Sequence, residues 1–285
     1  MQPHGMELWV AGMVLLAATL HASWNALIKV QGDRIVGIAV MNLAWLLPGG
    51  VAAAVLPLPS PAAVPFIAAS FAIHIVYFWA LARAYQFGDF GQVYPIARGT
   101  APLLVAIGAY AVADERLSPA SMAGVGLVAA GIAALAFVRA RVTDGRAVLA
   151  AFVTAGTIGA YSIVDGLGAR ASGNAHSYAA WLFLSNVPPI AAWCVWRFGL
   201  RGFLERARPS LRAGVPAGIL SAVSYWLAMW AMTLAPLGLV VALRETSVVI
   251  AAIIGAVVLR EGFGPRRIAA ATLVAAGVAL IKLGG

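Results

Sequence analysis

The chain has 285 residues, of which 62% are hydrophobic and 10% are charged. That composition leaves too little polar surface to cover a soluble globule of this size, so it excludes a soluble protein and indicates an integral membrane protein. The formal net charge of +9 comes from Lys and Arg in short connections between apolar segments. The sequence has no basic groove interleaved with aromatic residues, so it does not predict a nucleic-acid partner.

Ten apolar segments follow one another along the chain. A helix of about 20 residues crosses the roughly 30 Å hydrocarbon core of a bilayer, so each segment predicts one membrane span, with lipid as a partner. The first segment lacks the basic start of a signal peptide and is interpreted as an uncleaved helix. The predicted spans are 8–28, 35–56, 65–87, 91–113, 119–138, 147–169, 177–195, 213–234, 237–259 and 267–281.

Polar residues form one stripe of the first span. His21, Asn25 and Lys29 are four residues apart, and Trp24 lies in the neighbouring row. Polar groups in a membrane helix face other protein or a water-filled cavity, which makes His21, Trp24 and Asn25 candidate substrate-binding residues. The alternative is that His21 and Asn25 bond neighbouring helices while Lys29 reaches the membrane interface.

Aromatic residues concentrate on the third span. His74, Tyr77 and Phe78 share one side of it, where they can stack on a planar or apolar substrate and supply hydrogen bonds. Equally, aromatic residues serve as anchors at membrane interfaces. On the fourth span Tyr94 and Arg98 share a stripe and complete the candidate binding residues of the first half.

A carboxylate, Asp165, lies inside the sixth span. Such a group is expensive in a membrane, by about 2.5 to 3.5 kcal/mol on insertion scales. Proton coupling, cation binding, or pairing with Lys29, Arg98 or Arg244 would each account for it. The alternative is that Asp165 lies in the headgroup region and pairs locally near Arg170.

The second half supplies further candidates. The eighth span takes the place there that the third span takes in the first half, and it carries Tyr225 and Trp226, which we group with Tyr161 of the sixth span as candidate binding aromatics. The ninth span carries adjacent charges, Arg244 and Glu245. Arg244 is a candidate binding cation, and Glu245, like Asp165, is a candidate for proton coupling or an ion pair.

One stretch of the chain occurs twice. Residues 98–133 and 244–279 align without a gap at a constant offset of 146, with about 14 of 36 positions identical. Internal repeats of this kind describe the architecture of a whole fold. The informative matches pair Arg98 with Arg244, Thr100 with Thr246, Glu115 with Glu261, Pro119 with Pro265 and Gly131 with Gly277.

The repeating unit holds five spans, and five is odd. Two such units in one chain enter the membrane in opposite senses, which is the inverted-repeat architecture of secondary transporters with a binding site near mid-membrane. The sequence therefore predicts an all-α integral membrane protein with ten transmembrane helices, arranged as two inverted five-helix repeats around a central cavity. The repeats are residues 1–141 and 142–285.

Four segments resemble the EamA family of the drug/metabolite transporter superfamily. They read HASWN in the first span, AYSIVDG in the sixth, and ADERLSPASMAGVGLVAAG and LREGFGPRRIAAATLVAAG at the ends of the two halves. The resemblance implies a bacterial inner-membrane transporter, often an exporter of amino acids or related metabolites. It also implies that the fifth and tenth helices pack together and that the first, third, fourth, sixth, eighth and ninth line the pathway. It names no substrate.

Orientation follows from the positive charges. The odd-numbered connections with their flanks hold 14 Lys and Arg residues, and the even-numbered ones with both termini hold three, Arg116, Arg170 and Lys282. The positive-inside rule therefore places both termini outside the cytoplasm. The family resemblance implies the opposite, cytoplasmic termini.

These features favour a transporter over two alternatives. An intramembrane enzyme on lipid-linked substrates needs a convergent catalytic constellation, and the chain has no HExxH motif and no paired carboxylates on one helix face. A non-transporting membrane partner or sensor needs no inverted repeat. The sequence predicts no cofactor and no metal, and its single Cys194 excludes disulfides. It leaves the oligomeric state open, with a monomer among the states that fit.

The expected mechanism is alternating access, in which a central site binds a small organic solute and opens to one side of the membrane at a time. Export is the expected direction. Arg98 or Arg244 would offer a cation to a carboxylate or phosphate. Proton coupling would depend on Asp165, Glu245 or a histidine. Because the two arginines lie on helices that enter from opposite faces, we expect them at symmetry-related depths, as two gate-side cations that flank the cavity.

Overall fold

The computed structural model describes residues 6–29, 33–87, 90–136, 145–257 and 264–284. Regular structure in these residues is entirely helical, so each segment makes its backbone hydrogen bonds internally, as a bilayer requires. The helices are α1 (Leu8–Lys29), α2 (Arg34–Ala44), α3 (Leu46–Val55), α4 (Val64–Phe87), α5 (Phe90–Ala113), α6 (Pro119–Ala136), α7 (Gly145–Ala171), α8 (Ala175–Leu234), α9 (Leu237–Arg244), α10 (Ser247–Val257) and α11 (Pro265–Gly284), with a 3-10 turn at Pro61–Ala63.

Seven helical stretches of the described chain are long and apolar enough to cross a membrane. Two shorter apolar helices, Pro119–Ala134 and Ile268–Gly284, accompany them. Large apolar side chains cover the outside of the bundle, among them Val55 and Trp196, which are 75% and 79% exposed. Such a surface suits lipid and not water, so the chain is a multi-pass membrane protein.

The 60-residue helix α8 has two arms that meet at Gly199. This residue has a φ of 71° and a ψ of 160°, a conformation that glycine adopts without steric cost. The arm before Gly199 contains the predicted span 177–195, and the arm after it contains the predicted span 213–234. One long and apolar helical stretch thus holds two of the predicted spans.

The ninth predicted span is broken. Within the described residues the structure divides this span into α9 and α10 at Glu245 and Thr246, although Leu237–Ile254 remains one apolar stretch long enough to cross a membrane. The N–H and the hydroxyl of Thr246 both donate to Leu243 O, at 3.2 and 2.7 Å, which replaces the regular helical bond with a tighter turn. The break lies inside the bundle beside Arg244.

Helices α6 and α11 cross closely and run antiparallel. The start of α6 meets the end of α11, where Ser118 Oγ donates to Gly284 O at 2.6 Å. A Cβ on Gly277 would lie 2.7 Å from Gly124 O, and one on Gly131 would lie 2.9 Å from Ala270 O, so only glycine permits this approach. The packing agrees with the family expectation for the fifth and tenth helices.

This crossing relates the two copies of the repeat. At the offset of 146, Gly131 corresponds to Gly277 and Gly124 corresponds to Ala270. Exchanging the copies therefore converts the contact between Gly131 and Ala270 into the contact between Gly277 and Gly124. The crossing maps onto itself, as it does for two units related by a two-fold axis.

An apolar core fills the end of the bundle at which α1 begins and α11 ends. Both ends lie at the same face, because Lys282 Nζ donates to Met6 O at 3.2 Å. The core joins the first turns of α1, the second half of α5 and the whole of α9, all with buried side chains. Its members include Val10, Val14, Val105, Ala106, Ala109, Met232, Leu237, Leu239 and Val240.

Candidate functional site

Three helices bring charged side chains to one point inside the bundle. Arg98 Nε, on α5, lies 2.7 Å from Oε2 of Glu245, which directly follows α9, and the two side chains are 6% and 0% exposed. Arg98 Nη2 also donates to Nε2 of His21 on α1, at 3.0 Å. Because a guanidinium only donates, this imidazole nitrogen carries no proton. The three residues, with Arg244, are called the central charge cluster below.

Arg244 has weaker contacts than Arg98. Its Nη2 lies 3.8 Å from Oε1 of Glu245, beyond hydrogen-bond distance, and its Cζ lies 5.5 Å from the centre of the Tyr225 ring. The residue is 2% exposed. Among the described residues, none accepts a hydrogen bond from its Nε.

The expectation that Arg98 and Arg244 flank the cavity as two separate gate-side cations is wrong in this structure. Both contact the carboxylate of Glu245, so they belong to one cluster. In the first copy of the repeat Gly99 takes the position of Glu245, and a Cβ on it would lie 3.0 Å from Ala129 O. Since α5 packs too closely on α6 to admit a larger side chain there, one glutamate serves both guanidiniums.

Asp165 of α7 is completely buried among hydroxyl groups. Tyr178 Oη donates to its Oδ1 at 3.0 Å, and Tyr225 Oη donates to its Oδ2 in a short hydrogen bond. Such donors satisfy a buried carboxylate without a neighbouring cation.

The sequence left pairing of Asp165 with arginines open, and the described residues show no such pairing. Within the described part of the chain, no ion pair joins it to Arg98, Arg244 or Arg170. Arg170 instead pairs with Glu115 at 2.6 Å. The side chain of Lys29, the remaining predicted partner, lies outside the described residues.

Tyr178, which the sequence reasoning missed, is placed by a glycine. A Cβ on Gly168 would lie 2.5 to 2.6 Å from ring and hydroxyl atoms of Tyr178. The glycine therefore lets the phenol lie flat against α7 and reach Asp165 three residues earlier. A glycine one turn from a buried carboxylate was the only sequence signal for this partner.

Four rings from three helices form an aromatic group beside the central charge cluster. The ring of His74 stacks on Tyr161, with centroids 4.5 Å apart and planes 26° apart. Tyr77 and Tyr225 meet Tyr161 edge-on, at 5.8 and 6.2 Å. His74 Nδ1 donates to Ser70 O at 2.9 Å, which fixes the ring. The structure thus brings together four of the predicted aromatic positions.

The remaining predicted residues have other surroundings. Trp24 places its ring edge-on to His21 at 5.0 Å, and Asn25 Nδ2 donates to His21 O of its own helix at 2.7 Å. Both therefore support the helix segment that carries His21. The side chains of Phe78 and Tyr94 lie outside the described residues, so their predicted roles stay predictions.

Trp226 lies apart from the central charge cluster. Its Nε1 donates to His176 Nδ1 at 2.8 Å, and its ring meets Phe183 at 5.9 Å. Together with Leu47, Val51 and other apolar residues of α3, it lines a groove of about 720 Å³ at the surface of the bundle. The structure does not bring Trp226 to Arg98 and Arg244, although Tyr225 beside it reaches them.

A second ion pair, between a buried glutamate and a partly buried arginine, ties four segments together at the apolar end of the bundle. Glu115 follows α5, is 5% exposed, pairs with Arg170 of α7 at 2.6 Å and accepts from Leu237 N–H, the first residue of α9, at 2.7 Å. Arg170 also donates to Met232 O and Ala235 O, at 2.8 and 3.1 Å. We call this arrangement the end clamp. The repeated glutamate of the first half thus caps a helix of the second half.

The candidate site draws on the helices expected to line a pathway. His21 comes from α1, His74 and Tyr77 from α4, Arg98 from α5, Tyr161 and Asp165 from α7, Tyr225 from the second arm of α8 and Arg244 from α9. Cations, a carboxylate and aromatic faces in one buried region can hold an organic ion. No group of three His, Cys, Asp or Glu residues in the described ranges is placed to hold a metal ion.

Comparison with known proteins agrees with this architecture. A solved crystal structure of another protein aligns with this chain with a TM-score of 0.74 and 21% identity over 96% of both chains, which shows a shared fold. No curated protein matches the chain. The model of the EamA-like transporter family matches residues 145–283, which is the second copy of the predicted repeat. The second half of the chain is thus similar to the EamA-like transporter family.

Proposed function

We propose that the chain is a secondary transporter that moves a small organic metabolite, an amino acid or a related solute, across the bacterial inner membrane by alternating access. The observation that carries the proposal is the central charge cluster, which is buried and built by both halves of the chain. His21 and Arg98 come from the first half, and Arg244 and Glu245 come from the second. A site shared between halves changes its exposure when the halves move against each other.

We propose that the helices form ten spans in two inverted halves, which requires three groupings of helices or helix arms. Helices α2 and α3 form one span, the two arms of α8 form two, and α9 with α10 form one interrupted span. The halves 1–141 and 142–285 then hold five spans each. Support comes from the antiparallel crossing of α6 and α11, which maps onto itself when the copies are exchanged.

In this proposal the structure is taken as a state closed at one end. The apolar core and the end clamp fill the face at which both termini lie. Toward the other face, Trp24, Asn25 and Tyr77 are only partly buried. Alternating access requires the end clamp to separate when this end opens.

Coupling to protons is part of the proposal. A completely buried carboxylate held by hydroxyls, Asp165, is a site that can take up and release a proton as its surroundings change. Export as the direction rests on the family resemblance alone. Flux that is independent of a pH gradient, and unchanged in Asp165→Asn, would remove the coupling.

The test is a ligand screen followed by flux. Purified protein is heated with amino acids, nucleosides, sugar phosphates and phosphonates, because a substrate raises the unfolding temperature of the state that binds it. Compounds that stabilise the protein are then assayed for flux in proteoliposomes. We expect at least one to be transported. Folded protein that moves none of them, and that copurifies with a fixed protein partner, would favour a non-transporting role.

A further inference from the structure

The two arginines of the central charge cluster differ in how well their charges are compensated. Arg98 contacts a carboxylate oxygen at 2.7 Å and an imidazole nitrogen at 3.0 Å. Arg244 reaches the same carboxylate only at 3.8 Å and rests on the ring of Tyr225. Its Nε finds no acceptor among the described residues although it is buried. The free-energy cost of removing such a guanidinium from water is not compensated by a close carboxylate.

The charges of the described residues around Arg244 do not balance. Arg98 and Arg244 contribute two positive charges, Glu245 contributes one negative charge, and His21 is neutral because its Nε2 accepts from Arg98. Asp165 is occupied by its hydroxyl donors and forms no ion pair with either arginine within the described ranges. Within the described ranges one positive charge is left over, and Arg244 is the arginine that has no carboxylate oxygen within hydrogen-bond distance.

We propose that Arg244 is the anchor for a single carboxylate group on the transported solute. The proposal rests on the transporter function proposed above and names the chemical class of its substrate. One surplus charge matches one carboxylate and not a doubly charged phosphate. A guanidinium binds a carboxylate through two parallel N–H donors, and the unused Nε of Arg244 supplies one of them.

Tyr225 sets the direction from which the carboxylate arrives. Its ring lies against one side of the Arg244 guanidinium, and its hydroxyl is held by Asp165. A guanidinium with a ring on its face binds anions along its edge. Asp165 and Tyr225 therefore position Arg244, whereas Arg98 and His21 retain Glu245 on the other side.

Glu245 competes with the solute in this arrangement. It is the one carboxylate in contact with both arginines in the described structure. Binding of a solute carboxylate to Arg244 leaves Glu245 paired with Arg98 alone. Removing the negative charge of Glu245 should then strengthen carboxylate binding, and removing the positive charge of Arg244 should abolish it.

The test uses small probes that differ in charge. Unfolding temperatures of the detergent-purified protein are measured with benzoate and acetate, with the neutral isosteres benzamide and acetamide, and with inorganic phosphate, at constant ionic strength and up to about 100 mM. We expect stabilisation by the carboxylates and none by the amides or by phosphate. Arg244→Gln should weaken benzoate binding by at least about tenfold. Arg201→Gln, which removes an exposed arginine, is the control and should not change it.

Arg244→Gln could lose benzoate binding simply because it misfolds, so Glu245→Gln is a second variant, for which tighter binding is expected. We expect benzoate binding to become about tenfold tighter in this variant, because the internal competitor has lost its charge. Equal stabilisation by benzoate and benzamide, no stabilisation by either carboxylate, unchanged benzoate binding in Arg244→Gln, or weaker benzoate binding in Glu245→Gln would each overturn the proposal. Flux of a neutral solute in those cases would leave the transporter function intact, whereas loss of all flux would not.

Discussion

Arg98 and Glu245 form an ion pair between the two halves of the chain, with Nε and Oε2 2.7 Å apart and side chains 6% and 0% exposed. Breaking a buried pair leaves an uncompensated charge, which costs about 3 to 5 kcal/mol. Arg98→Gln should therefore lower the thermal unfolding midpoint strongly. Arg201→Gln, in a pair whose side chains are 94% and 67% exposed, should leave it unchanged. Equal effects of the two variants would show that the buried pair does not hold the halves together.

The end clamp predicts a local effect around Leu237. Glu115→Gln removes the ion pair with Arg170 and weakens the cap on α9, which we expect to cost about 1 to 3 kcal/mol. Hydrogen exchange should rise in residues 232–240, since Met232 O and Ala235 O are held by the same arginine.

Arg116→Gln is the matched control for the end clamp. It removes the neighbouring ion pair with Asp114, whose side chains are 74% and 75% exposed. Exchange in residues 232–240 should stay at the wild-type rate. If Glu115→Gln behaves like this control, Glu115 does not restrain the start of α9.

The contact between α6 and α11 predicts a difference between two glycines of the same helix. Gly124→Ala places a Cβ 2.7 Å from Gly277 O, which forces the helices apart and should cost about 1 to 3 kcal/mol. Gly126→Ala meets nothing within 4 Å and should be neutral or slightly stabilising. Thermal unfolding of both variants measures this. A tolerated alanine at Gly124 would argue against close packing of the two copies.

Gly168 should be as important to Asp165 as its hydroxyl donors are. Gly168→Ala displaces the ring of Tyr178 and so should remove its hydrogen bond, whereas Gly156→Ala on the same helix has open space. We expect a loss of about 1 to 3 kcal/mol in the first variant and none in the second. In a Tyr178→Phe background the Gly168→Ala loss should shrink, because the hydrogen bond is already absent. Full additivity of the two changes would contradict the coupling.

The membrane orientation remains a prediction of the charge count. Met6 and Lys282 lie at one face, so a single reporter on the C-terminus reports the position of both termini. The positive-inside rule predicts that C-terminal alkaline phosphatase is active outside the cytoplasm and that a cytoplasmic fluorescent reporter is dark. A bright cytoplasmic reporter would instead agree with the family expectation.

Apolar length and the internal repeat predicted most of the helices, because both are local properties of the sequence. They failed where a few residues decide the backbone. Thr246 interrupts the ninth span through bonds to Leu243. The connection predicted between the seventh and eighth spans is itself helical on both sides of Gly199. The interruption at Thr246 does not alter the apolar character of its span, so composition does not reveal it.

The sequence predicted which residues form the candidate site, but it did not predict which side chains they contact. Charged residues in apolar spans identified Arg98, Arg244, Asp165 and Glu245, because each is expensive in a membrane. Partners depend on which helix faces meet. Tyr178 was missed for that reason, and Trp226 was grouped with Tyr225 although the two lie on different faces of α8.

Flux of a carboxylate solute tests the central claim most directly. Wild-type protein and the Arg244→Gln variant are reconstituted in proteoliposomes, and counterflow of labelled amino acids and other carboxylates is followed alongside neutral analogues. We predict that at least one carboxylate exchanges through the wild-type protein and that Arg244→Gln, when folded, loses this exchange. Folded wild-type protein that exchanges no carboxylate, or an Arg244→Gln variant that exchanges it at the wild-type rate, would contradict the account.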